Sequence, residues 1–209
     1  MGRVAVFLDR DGTVIEEVGY VNHPDRLKLH PRAAEAIRLL NGAGLPAVLV
    51  TNQSGVARGY FPEKLVRELH AMLERLLAQE GARLDAIYYC PHHPDVGPPD
   101  LRLDCDCRKP RTGMLDRAAA ELGIDLPRSY MIGDTFRDVK CAQAAGSLAI
   151  MVHTGYGKGE LEYHPDRGRV IPDHQATDIL DAAAWIVARE RMKGKRGEGE
   201  APAEPTTGG

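Results

Sequence analysis

Short apolar runs that stop abruptly on polar residues and glycine alternate, along this chain, with longer stretches of helical periodicity. Residues 4–8 (VAVFL) end on Asp9-Arg10-Asp11-Gly12-Thr13, and 46–50 (PAVLV) end on Thr51-Asn52-Gln53-Ser54-Gly55. Residues 85–89 (DAIYY) lead into a loop, 90–108, that carries cysteine and histidine. Residues 129–132 (SYMI) stop at Gly133-Asp134, and 147–152 form the last such run. Apolar runs of this length, bounded by turn signals, predict buried parallel strands. Between them, Ala33, Ala36, Ile37 and Leu40 recur at helical spacing behind Pro31 and before Gly42 and Gly44. Pro62 opens the longest predicted helix, whose stripe of Leu65, Leu69, Met72, Leu73, Leu76 and Leu77 reads as core packing. Further helices are predicted over 114–122, ended by Gly123, over 137–145 and over 177–191. Strands alternating with helices imply an α/β fold: a Rossmann-like parallel sheet with helices on both faces.

At 209 residues the chain has room for one domain with a layered core. Residues 1–192 are assigned to it. Residues 193–209, charged and then rich in Gly, Pro, Glu and Thr, are assigned to a disordered tail. A net charge of -3 with few aromatic residues lacks the basic excess of a nucleic-acid binder. No apolar run reaches membrane-spanning length and the amino terminus carries no signal-peptide core, so a cytoplasmic protein is expected. In that compartment the four cysteines read as thiols or metal ligands, not as disulfides.

Ligands of open α/β sheets bind beyond the carboxyl ends of the strands, which is where this chain concentrates its chemistry. The first strand delivers Asp9 and Asp11. One carboxylate could attack an electrophile while the other handles a proton, and a hard cation could neutralise both. Alone, Asp-x-Asp-Gly could equally be a turn. It fails as an EF-hand loop because Val14 and Ile15 follow it and no helix precedes it. The second strand adds Thr51 and Asn52, a hydroxyl and an amide suited to phosphate oxygens, with Ser54-Gly55 offering backbone N–H groups. Arg108-Lys109-Pro110 adds cations for anion recognition, and the fourth strand adds Asp134, with Asp138 one turn into the next helix. Carboxylates gathered with cations suit phosphoryl transfer, in which Mg²⁺ bridges a phosphate and a lysine balances the charge.

The four signatures in order, Asp9-x-Asp11-Gly-Thr, Thr51-Asn52, Lys109-Pro110 and Gly133-Asp134 with Asp138, resemble the haloacid dehalogenase superfamily of phosphatases. The resemblance covers the whole folded chain and implies roles. Asp9 is then the nucleophile, forming an aspartyl-phosphate, and Asp11 the acid that protonates the leaving alcohol and the base that activates water. Mg²⁺ is held by the Asp9 carboxylate, the Asp11 carbonyl and Asp134, while Thr51 and Lys109 steady the phosphoryl group. For Asp138 a solvated or helix-orienting carboxylate remains an equal alternative.

Cys90-Pro-His92 and Cys105-Asp-Cys107 form two ligand pairs separated by 12 residues. Three thiolates and one imidazole suit a closed tetrahedral, structural Zn²⁺ site. A Cys105–Cys107 disulfide is the alternative, and His93 competes with His92 as a ligand. Such a site leaves no position for substrate; its expected task is to shape the loop that delivers Arg108 and Lys109. Cys141, within a predicted helix, reads as core.

CPHHP and CDCRKP narrow the resemblance to the branch of the superfamily that acts on heptose bisphosphates, with histidinol-phosphate phosphatases as relatives. This branch implies substrate contacts from Arg10, Glu17, Val18, Gly19, Tyr20, Thr51, Asn52, Gln53, Ser54, Arg108 and Lys109. Thr135 stands where the branch commonly carries a lysine near substrate; Arg137 could compensate, although its place at the helix start points elsewhere. The segments after Thr13 and around the zinc loop are too short for a large cap domain. The expected partner is a small phosphorylated metabolite, a sugar bisphosphate, and nothing in the sequence sets the oligomeric state. A histidinol-phosphate phosphatase is the second reading, and a catalytically silent, zinc-stabilised binding protein the third.

Overall fold

The computed structural model describes residues 2–198. Its strands are β1 (Val6–Leu8), β2 (Ala47–Asn52), β3 (Ala86–Cys90), β4 (Tyr130–Gly133), β5 (Leu148–Val152) and β6 (His174–Ala176). They form one parallel sheet in the order β3-β2-β1-β4-β5-β6. The helices are α1 (Ala33–Gly42), α2 (Glu63–Gln79), α3 (Gly113–Leu122), α4 (Phe136–Ala144), α5 (Gly157–Tyr163) and α6 (Ile179–Glu198).

The period-two alternation of a strand separates two cores. Val6 and Leu8 point to one face, where Ile37, Leu40, Leu73 and Ile186 from α1, α2 and α6 cover them. Phe7 points to the other, against Met114, Leu115 and Val139 from α3 and α4. Met72, Leu65 and Leu76 of the expected α2 stripe are only partly buried, and Val66 and His70 take inner places instead. Gly123 ends α3 in the left-handed conformation, at φ 65°, as its position predicts.

The chain runs outward from β1 to β2 and β3, then returns to add β4, β5 and β6 on the other side. The direction of winding therefore reverses beside β1, and the crevice opens there. Pairing registers Leu8 with Leu49 on one side and Ile132 on the other. The Asp9 N–H donates to the Ile132 carbonyl at 2.9 Å. The signatures that follow these three residues must consequently leave the sheet side by side.

Three elements depart from expectation. β6 reads only HQA and α5 reads GKGELEY, so neither carries an apolar run or stripe that the sequence could announce. α6 continues through Glu198, beyond the expected domain boundary at 192. Lys193 donates to the Tyr130 hydroxyl at 3.2 Å and to Glu190 at 2.6 Å, and its ammonium lies 5.6 Å from the Tyr130 ring centre. The tail expected from 193 is thus helical as far as 198, and 199–209 lie outside the described residues. No large cap covers the sheet edge, and no helix among the described residues is long and apolar enough to cross a membrane.

Candidate active site

The strand ends converge on a cleft of about 200 Å³. At its floor the Lys109 ammonium lies 2.8 Å from Asp9 and 2.7 Å from Asp138, and it donates to the Val50 carbonyl at 2.8 Å. Burial alone would lower the Lys109 pKa, but Asp138 and Asp9 outweigh it and hold the ammonium above its ordinary value. A lysine and a first-strand carboxylate 100 residues apart in sequence are thus brought into an ion pair.

Asp138, left open by the sequence, is almost fully buried. It accepts from the Thr135 N–H at 3.1 Å and the Thr135 hydroxyl at 2.7 Å, closing the first turn of α4. It thus orients the helix and the lysine at once. A Cβ on Gly133 would meet Asp138 at 2.4 Å, which is why glycine ends β4.

Asp9, Asp134 and Asp138 bring one carboxylate oxygen each within 4.8 Å of one another. Burial, with Asp138 and Asp11 adding to it and Lys109 opposing, raises the Asp9 pKa to about 6; burial followed by Asp9 and Asp138 raises Asp134 to about 9. Such crowding of hard oxygen donors fits a divalent cation, whose charge reverses the penalty. The surroundings fit as well: a Cβ on Gly12 or Gly155 would meet Asp134 Oδ2 at 2.1 Å, so two glycines leave that oxygen its space. The Tyr156 N–H holds the same oxygen at 2.8 Å. The Asp11 carboxylate is not part of this group.

Asp11 is instead gripped from behind. Arg10 donates to it through Nε at 3.2 Å and Nη2 at 3.0 Å, and Gln53 Nε2 adds a bond at 2.9 Å. The same Gln53 amide donates to the Thr51 hydroxyl at 2.8 Å, while its Oε1 accepts from Arg10 at 2.9 Å. Arg10 is 1% exposed and its Nη1 lies 3.3 Å from His70 Nε2. Burial first, and then the Arg10 charge, lower the His70 pKa to about 3, so the imidazole is neutral and accepts.

Glu17, Gly19, Tyr20, residues 51–54, Arg108 and Lys109 line the cleft. One expected substrate contact, Val18, is absent from the cleft wall. Val18 is partly buried and packs against the hydrophobic core, and its carbonyl accepts from Arg26 at 2.7 Å, while the core residue Val21 borders the cleft. Arg10 also lines the cleft, while its guanidinium turns into the protein, where Asp11, Gln53 and His70 supply its partners. Arg137, expected to face elsewhere, lines the cleft with Arg108, close enough for its charge to lower the Arg108 pKa after burial. His70 and Tyr156 carried no motif. His70 sits within the apolar stripe of α2, the one titratable group at a core position of that helix.

Thr51 and Asn52 pair with Tyr89 and Cys90 across β2 and β3, so the cleft and the cysteine loop share a sheet edge. Cys90, His92, Cys105 and Cys107 cluster within 4.8 Å. Their separations are 3.5 Å for Cys90–Cys105, 3.2 Å for Cys105–Cys107, 3.4 Å for Cys107–His92 Nδ1 and 3.8 Å for Cys90–His92 Nδ1. Tetrahedral Zn²⁺ with bonds of about 2.3 Å spaces its sulfurs by about 3.8 Å, so the donor set fits. All four cysteines are free thiols, which excludes the disulfide alternative in this structure. His93 is engaged elsewhere, with Nε2 2.8 Å from Arg58 and Nδ1 accepting from Asp95 N–H at 3.1 Å. Cys141 is buried in α4.

A family model described as HAD-hydrolase-like matches residues 106–183. With near-full-length relatives at 44% identity, the chain belongs to the haloacid dehalogenase-like hydrolases and is a phosphoric monoester hydrolase. One such relative is the D-glycero-D-manno-heptose-1,7-bisphosphate 7-phosphatase of Thermosynechococcus vestitus, 44% identical over 89% of this chain and 96% of that protein. The D-glycero-beta-D-manno-heptose-1,7-bisphosphate 7-phosphatase of Haemophilus influenzae is 45% identical over 75% of this chain and 86% of its own. Among solved structures, the D,D-heptose 1,7-bisphosphate phosphatase of B. bronchiseptica, complexed with magnesium and phosphate, superimposes with a TM-score of 0.79. It is 34% identical and spans 89% of this chain and 99% of that one.

Proposed function

We propose that the chain removes the 7-phosphate of D-glycero-D-manno-heptose 1,7-bisphosphate. The observation that carries this reading is the charge layout of one cleft, which is lined both by Lys109, paired with Asp9, and by Arg108 and Arg137. Neither arginine has a carboxylate within ion-pair distance among the described residues, so a second anionic group finds cations there without displacing an internal partner. Relatives named for heptose 1,7-bisphosphate support the same substrate.

Asp9 attacks the 7-phosphorus, and the bond to the sugar oxygen breaks with its electron pair leaving on that oxygen. Asp11 gives the oxygen its proton. The resulting carboxylate then takes a proton from water as the water attacks phosphorus and frees Asp9. Lys109 and the Thr51 hydroxyl hold the transferring group, while Glu17 and Tyr20 face the sugar. Asp9, the Asp11 carbonyl and Asp134 would hold Mg²⁺, which would neutralise the phosphate and nucleophile charges. Zn²⁺ on Cys90, His92, Cys105 and Cys107 shapes the loop; the Arg108 guanidinium donates to the His92 carbonyl at 3.2 Å, which ties the substrate cation to a zinc ligand.

The test is phosphate release with Mg²⁺ from heptose 1,7-bisphosphate, heptose 7-phosphate, fructose 1,6-bisphosphate and histidinol phosphate. The heptose bisphosphate should show the highest kcat/KM. Arg137→Ala should raise its KM about tenfold, with KM for the 7-monophosphate unchanged. A preference for histidinol phosphate overturns the substrate.

A further inference from the structure

The guanidinium of Arg10 makes four hydrogen bonds, two to Asp11 and one each to Gln53 and His70. A fully buried arginine beside a reactive carboxylate needs such partners, since an unpaired buried charge is strongly destabilising. The arrangement is directional. Forked Nε and Nη2 bonds fix the plane of the Asp11 carboxylate, and Gln53 closes a triangle by bonding both Arg10 and Asp11. Only His70 stands outside the triangle. It comes from α2, is buried and does not line the cleft, and its ring is held edge-on by Tyr89 at 5.4 Å between centres. Asp11 keeps 18% of its side chain open while Arg10 keeps 1%, so the carboxylate faces the cleft and the guanidinium does not.

We infer that His70 and Arg10 are positioning residues that hold Asp11 at the angle from which it delivers its proton to the leaving oxygen. This rests on the reading of Asp11 as acid and base. His70 supplies the acceptor that stops the guanidinium from swinging; without it, one N–H of Arg10 loses its buried partner and the fork on Asp11 can rotate. Neither residue touches substrate, and both act through Asp11.

The consequence is a dependence on the leaving group. An alkyl or sugar alkoxide must be protonated as the P–O bond breaks, whereas 4-nitrophenolate leaves as a stable anion and needs no proton from Asp11. Single-turnover release of the leaving group isolates that first step from the later attack of water. In His70→Leu, release of heptose 1-phosphate from heptose 1,7-bisphosphate should slow about tenfold with KM changed less than about twofold. Release of 4-nitrophenolate from 4-nitrophenyl phosphate should change less than about twofold. His70→Gln, which restores an acceptor near the same place, should recover most of the sugar rate. Should His70→Leu fail to fold, Arg10→Lys keeps the charge, loses the fork and should show the same selective loss.

Equal slowing of both substrates in the folded variants, or no slowing of either, overturns the inference. Asp11→Asn separates the two levels: full activity in that variant removes the acid–base reading itself. A wild-type-like His70→Leu beside an inactive Asp11→Asn removes only the positioning role.

Discussion

Asn52 clasps Lys109 by its main chain: its Nδ2 donates to the Lys109 carbonyl at 3.0 Å, and its Oδ1 accepts the Lys109 N–H at 3.0 Å. The amide of this cleft-lining residue thus also holds the loop that carries the lysine. A side-chain amide satisfies both groups of one peptide residue only when donor and acceptor lie side by side, which neither Asp nor Leu provides.

Asn52→Leu should consequently lower kcat by about ten- to a hundredfold by letting Lys109 drift from Asp9. It should also lower stability by about 1–3 kcal/mol, because two main-chain groups lose partners. Steady-state kinetics and urea unfolding read the two effects. Unchanged kcat would show that Lys109 is held sufficiently by Asp138 alone.

Asp9→Asn should reduce turnover by on the order of 10⁴-fold, since an amide is a poor nucleophile toward phosphorus. The fold should persist, as Asn is isosteric and its Oδ1 still accepts from Lys109 and from the Arg10 N–H, which bonds Asp9 at 2.8 Å. Kinetics together with circular dichroism test this; retained activity would remove Asp9 from the nucleophile role.

One zinc ion per chain is expected by elemental analysis of protein purified without chelator. Its removal should lower Tm and raise KM more than it lowers kcat, because the ligand His92 braces Arg108 while the nucleophile stands on a separate strand. Cys105→Ser should mimic the loss. Zinc-free protein with unaltered Tm and KM would uncouple the cysteine loop from the cleft.

The buried, neutral His70 predicts a specific acid limb of stability. Its native pKa of about 3 lies below the ordinary value of 6.5, so between these the unfolded chain binds the proton that the native chain refuses. Stability from this group is complete above pH 6.5 and declines as pH falls toward 3, by up to about 1.4 kcal/mol per pH unit within the window. Urea unfolding from pH 7 to pH 4 should show a shallower slope for His70→Gln than for the native protein. Equal slopes would mean that the imidazole takes up its proton in the folded state.

What the sequence determined was the set of parts. Apolar runs of strand length and helices of regular period specify an alternating α/β chain, because burial of one face or both is a local property of residue order. The strand-end signatures specify the reactive groups by occurring together and in order, since any one of them alone could be a turn, and the paired cysteine motifs specify a metal-binding set by their spacing. β6 and α5 escaped because short elements at a sheet margin bury too little to leave a pattern.

Tertiary structure decided which groups meet. Parallel pairing of β1 with β2 and β4 puts Asp9 beside Lys109 and Asp138, and it assigns Asp138 to the lysine instead of to solvent. It turns Arg10 inward, because Gln53 from β2's loop and His70 from α2 surround it, and a guanidinium is stable in the interior only where such acceptors converge. It turns Val18 into the core and brings Arg137 to the cleft, both outcomes of backbone direction at a loop or helix start, which no residue pattern encodes. Hydrogen-bond partners distant in sequence exist only once the sheet has closed.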